Sequence, residues 1–251
     1  MLSNPVTHIL YITFNRLYYT EKTLPVLLDS CDYPFMVRIV DNGSTDGTVE
    51  YLKSLNHSRI EQIIYNKKNR GLIKPTKDFW KESNAELVGK IDNDILVPKN
   101  WVKKLIDAHL KIPQLGVCGY CHFRKEDYNK VVVSQKVEGI NGVYIRRQPW
   151  IGGNYLIKSH HIKNIPGYTQ SWKFLKKRIF HGFTKYQKKL SKKGLIHGYL
   201  CDKKKNLLLW EHIDDPRNEH YQLNPNYANR IIDENIVEWL KQDTKQLLED
   251  Y

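Results

Sequence analysis

Four short apolar runs, each handing over to a polar cluster at its carboxyl end, limit what this chain can become. Thr7 to Phe14 ends at Asn15-Arg16, and Val37-Arg38-Ile39-Val40 runs into Asp41-Asn42-Gly43-Ser44-Thr45-Asp46-Gly47-Thr48. Ile60 to Tyr65 leads to the loop Asn66–Gly71, and Leu87 to Ile91 delivers Asp92-Asn93-Asp94. Near-continuous apolar and β-branched residues suit strands covered on both faces. Helical spacing fills the gaps, over Tyr18 to Leu28, Val49 to Leu55 and Pro75 to Ser83, with Pro25 tolerable only in a first turn. Strands alternating with helices predict βαβ units and a mainly parallel sheet, whose ligands bind beyond the carboxyl ends of the strands. All four polar clusters belong at that edge.

In an extended chain, side chains two residues apart point the same way, so Asp92 and Asp94 are expected to face one target. Two carboxylates suit Mg²⁺ or Mn²⁺, which take hard oxygen ligands and leave positions for substrate phosphate and water. Strand-end aspartates that merely cap a turn are the plainer alternative.

The chain has 251 residues, 41% of them hydrophobic, enough for one α/β domain with a full core. No segment approaches the ~20 uncharged apolar residues of a membrane-spanning helix, and Met1 to Thr7 lacks a signal-peptide plan, so a cytoplasmic protein is expected. Four cysteines do not make a disulfide scaffold. Cys118 and Cys121 have redox-motif spacing but fall in the strand-like stretch Leu115 to Phe123, and buried reduced thiols are expected. Of the net charge of +13, +11 lies in residues 171–205, where 12 Lys/Arg meet one Asp. Such a patch is a solvated helix face or a docking surface for phosphate, including an anionic membrane at the cytoplasmic face. Nucleic acid is not expected as a partner, since neither a helix-turn-helix nor a zinc pattern accompanies the charge.

The pieces Thr13-Phe14-Asn15-Arg16, Val40 to Thr48, Asn69-Arg70-Gly71 and Ile91-Asp92-Asn93-Asp94 stand in the order and spacing of a known family. Over residues 7–100 the chain resembles family 2 glycosyltransferases, and the second piece is the most specific. The resemblance implies a GT-A, Rossmann-like α/β/α sandwich with a mainly parallel central sheet and a small acceptor-side extension. It implies a metal-dependent, inverting transfer of sugar from a nucleotide-diphosphate donor, UDP first among the bases, to a hydroxyl of a glycan or lipid-linked glycan. Thr13, Asn15, Arg16, Asp41, Asn69, Gly71, Asp92 and Asn93 would line the nucleotide site; Asp41 would meet the base, and Asp94 with Asp92 would hold Mn²⁺ or Mg²⁺. Trp150, Gly152, Gly153 and Asn154 resemble the strand where the donor and acceptor sides join. The expected organisation is a catalytic domain over 1–215, split into a nucleotide half (1–121) and an acceptor half (122–215), and a helical tail over 216–251. A sugar-nucleotide pyrophosphorylase would instead need a glycine- and arginine-rich loop after the first strand, which Thr13 to Arg16 is not.

Where inverting members carry an acidic pair, this chain reads His181-Gly182-Phe183-Thr184-Lys185, without a carboxylate. An attacking hydroxyl needs a base within hydrogen-bond reach. Asp214, Glu211 and Asp202 are the candidate bases, and His212 is the candidate third metal ligand because a neutral imidazole suits such a metal. A retaining transferase, or an inactive protein that binds nucleotide or a partner, is the alternative.

Further elements are expected at Trp101 to Lys111 (helix), Val131–Val133 with Val143–Ile145 (a hairpin turning near Gly139 or Asn141-Gly142), Thr184 to Lys193 (helix), Leu207–Trp210 (strand) and Asn229 to Leu248 (amphipathic helices).

Overall fold

A computed structural model describes residues 5–122, 137–168, 182–216 and 219–223. Val131–Val133, residues 173–181 of the basic segment and the expected tail helices lie outside the described residues.

The chain opens with β1 (Thr7–Thr13), α1 (Leu17–Leu28), β2 (Met36–Asp41), α2 (Thr48–Ser54), β3 (Ile60–Tyr65), α3 (Ile73–Glu82) and β4 (Leu87–Asp92). A two-residue β5 (Ile95–Leu96) precedes α4 (Trp101–Lys111), β6 (Leu115–Gly119) and β7 (Cys121–His122). After these come β8 (Val137–Ile140), β9 (Val143–Arg147), β10 (Tyr155–Lys158), α5 (Ser159–Asn164), α6 (Gly182–Ser191), β11 (Ile196–Cys201) and β12 (Leu209–His212).

Nine strands form one mixed sheet in the order β3-β2-β1-β4-β10-β6-β11-β9-β8. The first four are parallel, β10 runs antiparallel between β4 and β6, and β6 is parallel to β11. β1 is buried at every position. Its alternate residues feed two cores: Ile9 and Tyr11 join Leu24, Leu27, Trp101 and Leu105 on one face, while Leu10 and Ile12 join Phe79, Trp80 and Tyr186 on the other. The period of two in a strand and the apolar stripes of the helices thus set the three-layer α/β/α arrangement.

Three expectations shift. Pro25 lies inside α1 rather than in its first turn. It faces solvent, while Tyr19, Thr20, Thr23, Leu24, Leu27 and Leu28 bury the opposite face, and that burial outweighs the hydrogen bond Pro25 cannot make. The strand expected from Leu115 to Phe123 breaks at Tyr120, and Cys121–His122 leaves the large sheet for a small one ordered β5-β12-β7. The described hairpin is β8–β9, turning on Asn141 and Gly142, both at positive φ as a tight two-residue turn needs; Gly139 sits inside β8 opposite Tyr144. All four cysteines are buried and free.

Candidate active site

The carboxyl ends of β1, β2 and β4 open into a cleft of about 350 Å³, lined by Thr13, Phe14, Arg16, Asn42, Asn69, Gly71 and Asp92 to Asp94. Sequential strands enter the sheet on either side of β1, so the loops after β1 and β4 part there and leave a crevice.

Each wall is built locally. Asp41, 1% exposed, accepts from the backbone N–H of Gly43 (2.9 Å) and Ser44 (3.0 Å) through Oδ2, while its buried Oδ1 meets no hydrogen-bond partner. Asn42 Nδ2 donates to the Gly71 carbonyl (3.0 Å), and Gly71 N–H donates to Asn69 Oδ1 (2.8 Å), which clamps the Asn69–Gly71 loop on β2. Asn15 is turned away from the cleft, taking Ser44 Oγ on its N–H (2.9 Å) and Thr45 N–H on Oδ1 (2.7 Å). It ties two loops together. Asp46 does the same for two helices, accepting from Leu17 N–H (2.9 Å) and the Thr48 hydroxyl (2.6 Å). Asn93, 6% exposed, donates to Thr13 Oγ1 (3.1 Å).

The two aspartates part company. β4 ends at Asp92 and a turn follows, so the same-side rule applies to Lys90 and Asp92, whose side chains pair. Asp92 also takes Asn154 Oδ1 on its backbone N–H (2.6 Å). Asp94 turns toward α1 and β12. Its Oδ2 lies 2.7 Å from Arg16 Nη1 and 3.4 Å from His212 Nε2, and its Oδ1 is buried without a partner. β12 pairs with β5 with His212 opposite Ile95, and Ile213 N–H donates to the Asp94 carbonyl (2.9 Å), so the small sheet carries His212 to Asp94. Trp210, packed 4.7 Å from Tyr120 and 5.4 Å from Trp101, anchors that strand.

Burial would raise the Asp94 carboxyl, but the hydrogen bonds and charges of His212 and Arg16 hold it well below the usual carboxylate range. Burial opposes charge on His212, yet Asp94 and the nearby carboxylates of Asp215 and Asp214 keep its pKa above the ordinary value. Asp94 has one buried oxygen without a partner and the other 3.4 Å from an imidazole nitrogen, a pairing that fits a divalent cation accepting both ligand types. Asp92 lines the same cleft but pairs with Lys90.

A second cleft of about 390 Å³ adjoins the first, sharing Leu72 and Asp92 with it. Lys90, Trp150, Ile151, Gly152, Gly153, Tyr155, Tyr168 and Phe183 complete its walls. Of the residues expected on the acceptor side, Trp150, Gly152 and Gly153 line it, and Asn154 positions Asp92 from behind.

The three candidate bases line neither cleft, although Asp214 adjoins the first through Arg16. Asp202 closes a turn, accepting from Lys204 N–H and Asn206 N–H (both 2.8 Å). Glu211 lies 3.3 Å from His220 Nε2, and Asp214 is taken by the Arg16 guanidinium and the Tyr19 hydroxyl (3.2 Å). No Asp or Glu occurs from residue 139 to 201, so Asp92 is the carboxylate that the second cleft presents among the described residues. Sequence reasoning missed Lys90, Tyr19 and the aromatic walls Tyr155, Tyr168 and Phe183. Only Lys90 had a signal, its place two residues before Asp92 in a strand.

A doubly wound sheet with such a crevice is shared by many nucleotide-binding folds, and the likeness to solved glycosyltransferases makes it a GT-A fold. A mannosyltransferase, PcManGT from Pyrobaculum calidifontis, solved with GDP-Man and Mn²⁺, superposes with a TM-score of 0.62 at 19% identity, over 88% of this chain and 60% of that one. S. aureus TarS 1–349 gives 0.54 at 14% identity over 97% and 81%. The glycosyl transferase family 2 pattern matches residues 9–183, and the chain belongs to that family. An uncharacterized glycosyltransferase of Bacillus subtilis (strain 168), YfnE, is 32% identical over 109 residues, 43% of this chain. The chain spans about a quarter of that relative's length.

Proposed function

We propose that this chain transfers a sugar from a nucleotide-diphosphate donor to a hydroxyl of a glycan or lipid-linked glycan, with inversion. The observation that carries the reading is the pair of clefts meeting at Asp92. The nucleotide belongs in the first, with the base toward the buried Asp41 and the diphosphate toward Asp94. The acceptor belongs in the second, where aromatic faces suit the apolar sides of a sugar ring. Asp94 and His212 would hold Mn²⁺ or Mg²⁺, which neutralises charge on the leaving diphosphate. Mn²⁺ beside a nucleotide sugar in the PcManGT complex supports this assignment. In this reading residues 1–121 supply the donor side, 122–215 the acceptor side and 216–251 a tail.

Calorimetry with UDP, GDP, dTDP and CDP, with and without Mn²⁺, tests it. One nucleotide should bind in a metal-dependent way, and Asp94→Ala should lose that dependence. Nucleotide binding without transfer is the second reading, favoured by the engagement of Asp202 and Glu211 away from both clefts and of Asp214 by Arg16. A donor and acceptor screen with no turnover by protein that binds Mn²⁺ and nucleotide would select it.

The finer partner is an anionic lipid surface. Lys185, Lys188 and Lys189 are exposed on α6 and Lys192 and Lys193 follow, while Trp150, 41% exposed, lies at the second cleft with Lys188 Nζ 5.5 Å from its ring centroid. Lysines beside an exposed tryptophan suit an anionic interface, each lysine adding about 1 kcal/mol. No helix among the described residues is long and apolar enough to cross a membrane. Sedimentation with phosphatidylserine vesicles should exceed that with phosphatidylcholine, and reversing Lys185, Lys192 and Lys193 to Glu should abolish the difference.

A further inference from the structure

Arg16 holds the one oxygen of Asp94 that a cation shared with His212 would use. It is the residue just before α1, and its guanidinium spans two carboxylates: Nη1 lies 2.7 Å from Asp94 Oδ2, and Nη2 pairs with Asp214 Oδ2. The Tyr19 ring lies beneath it, 4.9 Å from centroid to guanidinium carbon. Asp94 Oδ2 is also the oxygen nearest His212 Nε2, at 3.4 Å. A divalent ion bound to that oxygen and that nitrogen would lie a little over about 2 Å from each. The guanidinium would then share an oxygen with a dication, with like charges nearly in contact.

We propose that Arg16 is a displaceable counter-ion that couples metal binding to nucleotide binding. The inference rests on the metal and donor assignment above and adds the regulation of that site. Arg16 already lines the first cleft, and its long side chain can turn from Asp94 toward a diphosphate, a bidentate partner for its planar fork. Without a diphosphate, a metal ion must take Asp94 from the guanidinium and leave it Asp214 alone. With one, the displaced charge gains phosphate oxygens. Metal and nucleoside diphosphate therefore strengthen each other's binding by the same factor, as linkage requires.

The test is Mn²⁺ titration followed by the EPR signal of free Mn²⁺, with and without UDP or GDP, on wild type, Arg16→Ala, Arg16→Gln and Asp94→Ala. In wild type, the nucleotide should tighten Mn²⁺ by a factor within the roughly 5- to 150-fold range of ordinary site coupling. In both Arg16 variants, Mn²⁺ alone should bind about tenfold tighter and the nucleotide should tighten it by a clearly smaller factor than in wild type, leaving only the direct attraction of metal and diphosphate. The reduced coupling is the specific readout, because removing a positive charge by itself would tighten Mn²⁺ equally with and without nucleotide. Coupling as strong in both Arg16 variants as in wild type overturns the proposal. If Mn²⁺ binds wild type and Asp94→Ala alike, or neither, the metal assignment itself fails. Should circular dichroism show the Arg16 variants unfolded, Asp214→Asn, which removes one of the two carboxylates holding the guanidinium, must shift Mn²⁺ affinity and coupling in the same direction, and no shift overturns the proposal.

Discussion

Gly153 shows how one missing side chain can shape a site. A Cβ there would lie 2.9 Å from Asp92 Oδ2, at the junction of the two clefts, and 3.4 Å from Lys90 Nζ in the second. Gly153→Ala should therefore leave the fold intact but push Asp92 off its position, cutting transfer at least about tenfold, or 1.4 kcal/mol. Parallel melting curves and initial rates check it; unchanged rates would mean that Asp92 yields without cost. That Asp41, Asp92 and Asp94 gather at one edge was legible in the sequence, because each closes or follows an apolar run. Their partners were not. Arg16 and Asp94 are 78 residues apart, and Arg16 and Asp214 are 198 apart, and no local pattern records such a pairing.

At the scale of elements, α1 carries its cost visibly. Pro25 lies three residues before the helix end and on the solvent side, so its absent N–H leaves the Glu21 carbonyl without its usual donor. Pro25→Ala should restore that bond and raise stability by about 1–3 kcal/mol, read as a higher melting temperature. The small sheet has a different origin. The strand expected at Leu207–Trp210 forms at Leu209–His212, and its pairing with β5 and β7 arises only because the chain breaks at Tyr120 and returns past Asp94. Short pairings of two residues depend on packing around Trp210 rather than on their own propensity.

Across the whole molecule, buried neutral histidines set the response to acid. His197 accepts from Val117 N–H at Nδ1 (2.8 Å) and lies 3.0 Å from the Gln187 carbonyl at Nε2, so its ring fits the neutral form. Burial lowers its pKa to about 4; burial, with Lys158 nearby, lowers His109 to about 3; and burial, with His160 and Lys158, lowers His161 to about 4. The unfolded chain takes up these protons near 6.5 while the native state refuses them, so the stability these three rings contribute is complete above 6.5 and falls as pH drops toward 4. Each histidine should contribute roughly 1.4 kcal/mol per pH unit within that window. Urea unfolding at a series of pH values measures the slope, and a flat profile would show that the three rings accept protons in place.

The sequence by itself determined the alternation of strands and helices, the family and the edge where ligands gather, because periodicity and strand-end chemistry are local properties. Only the tertiary structure decided that Arg16 bridges Asp94 and Asp214, that Asp92 answers to Lys90, and that Asp202 and Glu211 stand apart from the clefts. Those outcomes depend on which distant segments the packed sheet brings within a few ångströms of one another, and on how buried charges find partners once water is excluded.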